Sequence, residues 1–179
     1  MKLRIIAGKH RGRVLKEFKG REIRPTADRA KEAIFNILQT EIYGSTFLDV
    51  YCGTGNMGIE AISRGAEKVV FVDSSKESVQ IAKFNLEMIK ENAEIVCQDA
   101  LTYAGTTREK FDVIFLDPPY GIDATPVLET LAKNGVLNDG GVIIYEHSED
   151  FQVGEIEGLE HKNTRKYGIA HFEFYGVKQ

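Results

Sequence analysis

Apolar positions switch repeatedly between the continuous runs of buried strands and the three-to-four spacing of amphipathic helices. Ala30, Ala33, Ile34, Ile37 and Leu38 form an i, i+3, i+4, i+7, i+8 stripe. This predicts a helix opened by Pro25-Thr26 and capped by Thr26 or Asp28, with Arg29 and Lys31 off the stripe. Thr46–Val50 predicts a buried strand, with Asp49 near its end and glycines directly after it. Further along, 58–64 predicts a short helix and 68–72 a strand ending at Asp73. A helix over 75–90 carries Val79, Ala82, Leu86 and Ile89 on one face, and Glu94–Cys97 is a strand followed by Gln98-Asp99. Residues 112–116 predict a strand ending at Asp117, 124–133 a helix and 141–146 another strand. The last segments, 159–167 and 169–176, read as two strands joined at Tyr167-Gly168, and 3–24 as short strands around a basic turn, Gly8 to Arg13.

Short apolar strands alternating with helices indicate βαβ units and a parallel sheet covered on both faces. Five such units followed by an antiparallel hairpin is the layout of the Rossmann-like, seven-stranded class I methyltransferase sheet. The predicted fold class is therefore α/β, mostly parallel with a C-terminal antiparallel hairpin. Residues 1–40 form a small basic extension of hairpin and helix packed on the core, and 41–179 the main domain.

Charge changes this picture more than composition does. The 179 residues carry a net charge of −4, with 42% hydrophobic and 28% charged residues, which disfavours disordered and fibrous classes. The acidic balance would disfavour a nucleic-acid partner if it were uniform. It is not: the first forty residues hold eleven basic side chains against four acidic ones, a surplus of +7, and the remainder is −11. Such asymmetry points to an anionic partner met by one end, or to a merely solvated basic surface. Cys52, Cys97 and the four scattered histidines have no metal-ligand spacing, so no metal is expected; Cys97, in an apolar stretch, reads as buried. The apolar runs fall far short of the ~20 residues of a membrane helix, and the start lacks the pattern of a signal peptide. A cytoplasmic protein is expected, with no membrane partner, as a monomer.

The loop after the first strand of the alternating region contains Gly53-x-Gly55-x-x-Gly58. Alone it fits a dinucleotide fingerprint, with Asp73 placed for ribose hydroxyls, or a ligand-free tight turn. Two acids move the reading to S-adenosylmethionine. Asp49 would repel a pyrophosphate but attracts the ammonium of a methionine moiety, and Asp99 can accept from an adenine amine. The candidate cofactor residues are Asp49, Tyr51, Gly53, Thr54, Gly55, Asp73, Ser74, Asp99 and Ala100.

Asp117-Pro118-Pro119-Tyr120 is the most specific feature. Two consecutive prolines hold the backbone extended at a strand end. Methylation of an exocyclic amine on a planar base requires such geometry, because that amine's lone pair is delocalised into the ring. The Asp117 carboxylate and the Pro118 carbonyl can hold the two N–H groups, and Tyr120 can stack on the base. Catalysis is then mostly positioning and electrostatics. The bland alternative is a rigid loop without a catalytic role.

The tetrapeptide resembles that of amino-methyltransferases acting on adenine N6, cytosine N4 and guanine N2. More narrowly, Ile6 to Arg13, Arg24 to Asn36 and Gly55 to Ala66 resemble the RsmD-type bacterial 16S rRNA guanine-N2 methyltransferases, a match spanning nearly the whole chain. The resemblance implies S-adenosylmethionine as methyl donor and a guanine of 16S rRNA, within the small ribosomal subunit, as substrate. It also implies rRNA contacts from the basic arm, for which Lys9, His10, Arg11, Arg13, Arg24 and Arg29 are the candidates. Cys52 departs from the alanine or serine expected in that loop. The Arg24 to Arg29 segment has three readings: a lid over the cofactor carboxylate, an RNA contact, or a helix cap. The alternative function is a DNA adenine-N6 or cytosine-N4 methyltransferase, against which 179 residues leave no separate target-recognition domain. A NAD enzyme leaves the tetrapeptide and hairpin unexplained, and a non-catalytic nucleic-acid module leaves the carboxylates unexplained.

Overall fold

The computed structural model describes residues 1–20 and 25–179. The helix α1 (Pro25–Ile37) and the single turn α2 (Gln39–Ile42) lead into an alternating series. It runs β1 (Thr46–Val50), α3 (Asn56–Ser63), β2 (Lys68–Asp73), α4 (Lys76–Met88), β3 (Glu94–Cys97), α5 (Ala100–Thr106), β4 (Phe111–Leu116), α6 (Thr125–Lys133) and β5 (Leu137–Ser148). The hairpin β6 (Leu159–Tyr167) and β7 (Ala170–Val177) completes it. One seven-stranded sheet results, in the order β3-β2-β1-β4-β5-β7-β6. The first five strands are parallel; β7 enters antiparallel between β5 and β6.

The strand sequences explain why both faces are covered. Side chains alternate across a strand, and the interior positions of β1, β2 and β4 are mostly apolar on both faces. Phe47, Val69, Phe71, Val113 and Phe115 pack with α1, α3 and α4 on one face. Leu48, Val50, Val70, Val72, Ile114 and Leu116 pack with α5 and α6 on the other. Gly58 lets α3 close on the sheet, since a Cβ there would lie 2.3 Å from the Phe71 ring.

Two predicted elements differ in detail. The buried stripe of α1 is Ala30, Lys31, Ile34, Phe35 and Leu38, while Ile37 is exposed. Lys31 therefore lies on the packed face. Its ammonium donates to the Arg4 carbonyl (2.6 Å) and Asn56 Oδ1 (2.7 Å) and pairs with Glu60 (3.4 Å). Burial lowers the Lys31 pKa more than Glu60 raises it. Cys97 is exposed and Cys52 is the buried cysteine, because β3 is an edge strand with only partial cover.

The predicted N-terminal strands appear as a two-arm ladder with a single Arg4↔Val14 bridge. Ile5 N donates to Arg13 O (2.9 Å) and Leu15 N to Leu3 O (2.8 Å). Leu3, Ile5 and Leu15 enter the same apolar cluster as α1, α3 and α4. Glu60, fully buried on α3, fixes the arm by accepting from Ile6 N and Ala7 N, both at 3.0 Å.

Candidate active site

The carboxyl ends of β1, β2 and β4 bring Asp49, Asp73 and Asp117 to one edge, joined by Asp99 just after β3. This is where open α/β sheets hold ligands. Asp49 is 2% exposed and accepts from Gly58 N at 2.9 Å. Burial raises its pKa to about 8, and the charges of Asp117 and Asp73 add to the effect. Asp73 organises the glycine loop, accepting from Gly53 N on one oxygen and Ser75 N on the other, both at 2.9 Å. Ser74 contributes its carbonyl, which accepts from the Cys97 thiol (3.7 Å).

Asp99 caps α5: its Oδ2 accepts from Thr102 N at 3.1 Å, and Ala100 follows as the first residue of that helix. Tyr51 sits at φ 60°, an uncommon conformation for a side chain of that size. Its phenol is raised to about 12, by burial first and then by the nearby Asp99. Gly55 precedes α3 at φ 85°, a left-handed turn that favours glycine. The Thr54 carbonyl accepts from Asn85 Nδ2 (2.9 Å), and Asn85 also binds Lys16 through its backbone, so α4 ties the basic arm to the loop. A Cβ at Gly53 would meet only Phe18 of that arm, at 3.7 Å.

The tetrapeptide leaves the sheet as predicted. Asp117 N donates weakly to Val50 O (3.4 Å), and Pro119 O accepts from Ile122 N (3.0 Å). Tyr120 is 88% exposed, its ring open to a planar partner. Beside Asp117 lies a residue that sequence reasoning missed. Leu116 of β4 pairs with Tyr145 of β5, so Glu146 comes next to Asp117, and the two carboxyls are hydrogen-bonded. Asp117 is exposed as a residue and Glu146 half-buried, yet desolvation around the paired carboxyls raises both, Asp117 to about 6 and Glu146 to about 9, and the charge of Asp117 adds to the rise at Glu146. The signal was available: Glu146 follows the apolar run Val142 to Tyr145 at the same edge as the other acids.

The basic candidates separate into two places. The turn from Gly8 to Arg13 meets the C-terminal ends of α3 and α4, hence the edge of the sheet opposite the carboxylates. Lys9 N donates to Ser63 O (2.9 Å), Lys9 Nζ and His10 Nε2 reach Glu91 (2.6 and 2.7 Å), and Arg13 donates to Met88 O (2.7 Å). Arg11 and Arg29 are exposed, and Arg29 lies on α1, whose Lys31 touches Asn56 of the glycine loop. Arg24 lies outside the described residues. Thr26 lies within α1, but its side chain is not among those described. Among the described residues no cluster of three or more histidine, cysteine or acidic groups suits a metal ion. None of the described helices is long and apolar enough to cross a membrane.

Residues 3–176 match a family described as "Conserved hypothetical protein 95". The chain belongs to this family. Curated relatives give its members an activity by name. The Ribosomal RNA small subunit methyltransferase D of Haemophilus influenzae is 35% identical over 97% of this chain and 93% of its own length. Its Escherichia coli namesake (strain K12) is 33% identical over 80% of this chain and 74% of its own. The family fold is shared throughout: the solved structure of HI0767 from Haemophilus influenzae superposes with a TM-score of 0.84 at 32% identity, covering 100% of both chains.

Proposed function

We propose that the chain transfers a methyl group from S-adenosylmethionine to the exocyclic N2 amine of a guanine in 16S ribosomal RNA. The observation carrying this reading is the row of acids Asp49, Asp73, Asp99 and Asp117 along one sheet edge, ending beside an exposed Tyr120. The names of the curated relatives support it.

The residues suit this cofactor. A cationic methionine end requires a negative, desolvated partner, and Asp49 is a buried carboxyl that desolvation raises to about 8. Asp73, fixed by Gly53 and Ser75, presents a carboxylate at the end of β2 for ribose hydroxyls. Asp99 and Ala100 open α5, where an adenine edge can meet a carboxylate and a backbone N–H. Tyr51, Thr54, Gly55 and Ser74 complete the wall. When bound, the cofactor supplies an electrophilic methyl on sulfur whose departure needs no metal.

Asp117 then accepts from the guanine amine, the Pro118 carbonyl takes its other N–H, and Tyr120 stacks on the base. RNA phosphates are met by Arg11, Arg24 and Arg29. Lys9 and His10, held by Glu91 beyond α4, and Arg13, held by Met88 at its end, extend this basic flank away from the site. The substrate form is the assembled small subunit, and the enzyme works as a cytoplasmic monomer.

Asp49 makes a prediction of opposite signs. Its folded pKa lies above the ordinary 3.8, so between that value and about 8 the folded chain binds more protons than the unfolded one. Stability is therefore lost as pH climbs through that window. Asp49→Asn, whose side-chain carbonyl still accepts from Gly58, raises the thermal midpoint at pH 8.5, and the difference vanishes near pH 4. The same change weakens S-adenosylmethionine by roughly tenfold or more, the cost of one charge-assisted contact. Calorimetry and thermal scans read the two effects; a midpoint that falls at pH 8.5 contradicts the assignment.

The functional reading itself is tested by incubation with labelled S-adenosylmethionine. The acceptors are small subunits lacking base methylation, protein-free 16S rRNA, and duplex DNA. Label is expected in the subunits; label in DNA alone overturns it.

A further inference from the structure

The mechanism above uses Asp117 and leaves its neighbour unexplained. Glu146 reaches the same edge from β5, directly beside Asp117 on β4, with Phe172 of β7 on its other side. Its neighbour His147 is engaged elsewhere, with Glu173 at 3.0 Å. Among the described residues neither Asp117 nor Glu146 forms an ion pair with a lysine, arginine or histidine. The charged groups that act within the pair are its own two members, and Asp117 in turn acts on Asp49 of β1. Two carboxyls can be hydrogen-bonded only if a proton lies between them, so the pair shares one.

We propose that Glu146 is the positioning residue for Asp117: its O–H donates to one Asp117 oxygen, which keeps Asp117 ionised and leaves the other oxygen turned to the incoming amine. This deepens the methyl-transfer reading and rests on it. The direction of the shared proton follows from the two environments. Glu146 is the more strongly raised member and holds the proton, while its hydrogen bond lowers Asp117 against the burial that raises it. Without that donor, Asp117 protonates more readily and can no longer accept from an N–H.

The step balances as follows. The N2 lone pair forms the bond to the methyl carbon, and the methyl–sulfur bond breaks with its electrons remaining on sulfur. The N2 cation so formed gives a proton to the free oxygen of Asp117. The pair holds one proton before transfer and two after, and the extra one leaves to water from the open cleft.

The wild-type rate is expected to be bell-shaped in pH. It rises as Asp117 ionises, near about 6, and falls as Glu146 loses the shared proton, near about 9. Glu146→Ala moves the acid limb upward by about a unit and so lowers kcat by roughly fivefold at pH 6 and roughly twofold at pH 7, with KM for RNA and affinity for S-adenosylmethionine little altered. Glu146→Gln keeps a donor but cannot titrate. It restores most of the lost rate and abolishes the alkaline limb. An alanine variant with an unshifted acid limb, or a glutamine variant that keeps the alkaline limb, overturns the proposal.

A second readout needs no substrate: carbon-13 titration of the side-chain carboxyls. The wild type should show Asp117 and Glu146 titrating in two shared steps, and the alanine variant a single, higher Asp117 step. Identical Asp117 titrations in the two proteins overturn Glu146's hold on it. A wild type that labels no RNA at any pH overturns the functional reading instead, and the two failures are separately visible.

Discussion

Asp117→Ala is expected to cut methyl transfer by roughly 10²- to 10⁴-fold, the range lost when a positioned proton acceptor is removed. Affinity for S-adenosylmethionine should stay within about twofold, because Asp117 is assigned to the base. The split between rate and cofactor affinity is what makes the result informative. Asp117 follows the apolar run Val113 to Leu116 of β4, and its backbone N–H makes a long contact to Val50 O of β1 (3.4 Å). Removing its carboxyl therefore leaves the fold intact and the neighbouring glycine loop undisturbed. Single-turnover kinetics on small subunits, with calorimetry on the same preparation, measure both quantities. A variant that transfers at the wild-type rate removes Asp117 from the mechanism. One that loses cofactor binding in proportion moves it to the cofactor.

Glu60→Ala carries the largest expected effect on stability, about 3–5 kcal/mol, because it strands a buried ammonium. The Glu60 carboxylate is fully buried and serves Ile6 N, Ala7 N, Arg64 Nε and Lys31 Nζ at once. Its loss also leaves two backbone N–H groups of the arm without their acceptor. For a chain of this size the thermal midpoint should fall by about 10 °C. Lys31→Met costs less, since Arg64 still neutralises Glu60 at 2.9 Å. Adding Lys31→Met to Glu60→Ala should recover part of the loss, because no buried charge is then unpaired. Thermal scans of the three variants check this, and strictly additive losses would contradict the pairing. The link to function is Asn56, the first residue of α3, which Lys31 holds from the other side. The arm, α1 and the glycine loop thus share one buried polar junction.

That junction shows where sequence reading stops. β1, β2 and β4 were legible because strands buried on both faces read as consecutive apolar residues, as in Val69 to Val72 and Val113 to Leu116. The hairpin was legible from Tyr167-Gly168 between two alternating runs. Helix α5 was not, since Ala100–Thr106 is under two turns long and buries only Ala100, Tyr103 and Ala104, too few for a stripe. Strand β5 begins earlier than predicted, because 138–141 reads as a turn in Asn-Asp-Gly-Gly yet continues the strand through a shift in register against β4. Lys31 was placed off the packed stripe because its partner Glu60 is remote in sequence and meets it only after α1 packs on α3.

The site divides in the same way. Asp49, Asp73, Asp99 and Asp117 were found because each follows a run of apolar residues, and the sheet brings them together as expected. Asp99 turned out to serve as the cap of α5, one of the ordinary roles of an acid at that spot. Glu146 follows an apolar run in the same way and escaped notice because no glycine or proline comes directly after it; the strand runs on to Ser148. The basic arm could be counted from the sequence but not oriented. Only its contacts with Ser63, Met88 and Glu91 reveal that the turn lies at the opposite edge from the carboxylates, while Phe18 reaches the loop at Gly53.

The central claim is chemical: an Asp-Pro-Pro-Tyr edge holds the exocyclic amine of guanine against a methyl donor. Its most direct measurement is the identity of the modified nucleoside. Small subunits labelled by the wild-type protein and S-adenosylmethionine are digested, and the labelled nucleoside is resolved by chromatography and mass spectrometry. The account predicts N2-methylguanosine, absent with Asp117→Ala. Label on a ring nitrogen, a ribose hydroxyl or the amine of adenine or cytosine would contradict it.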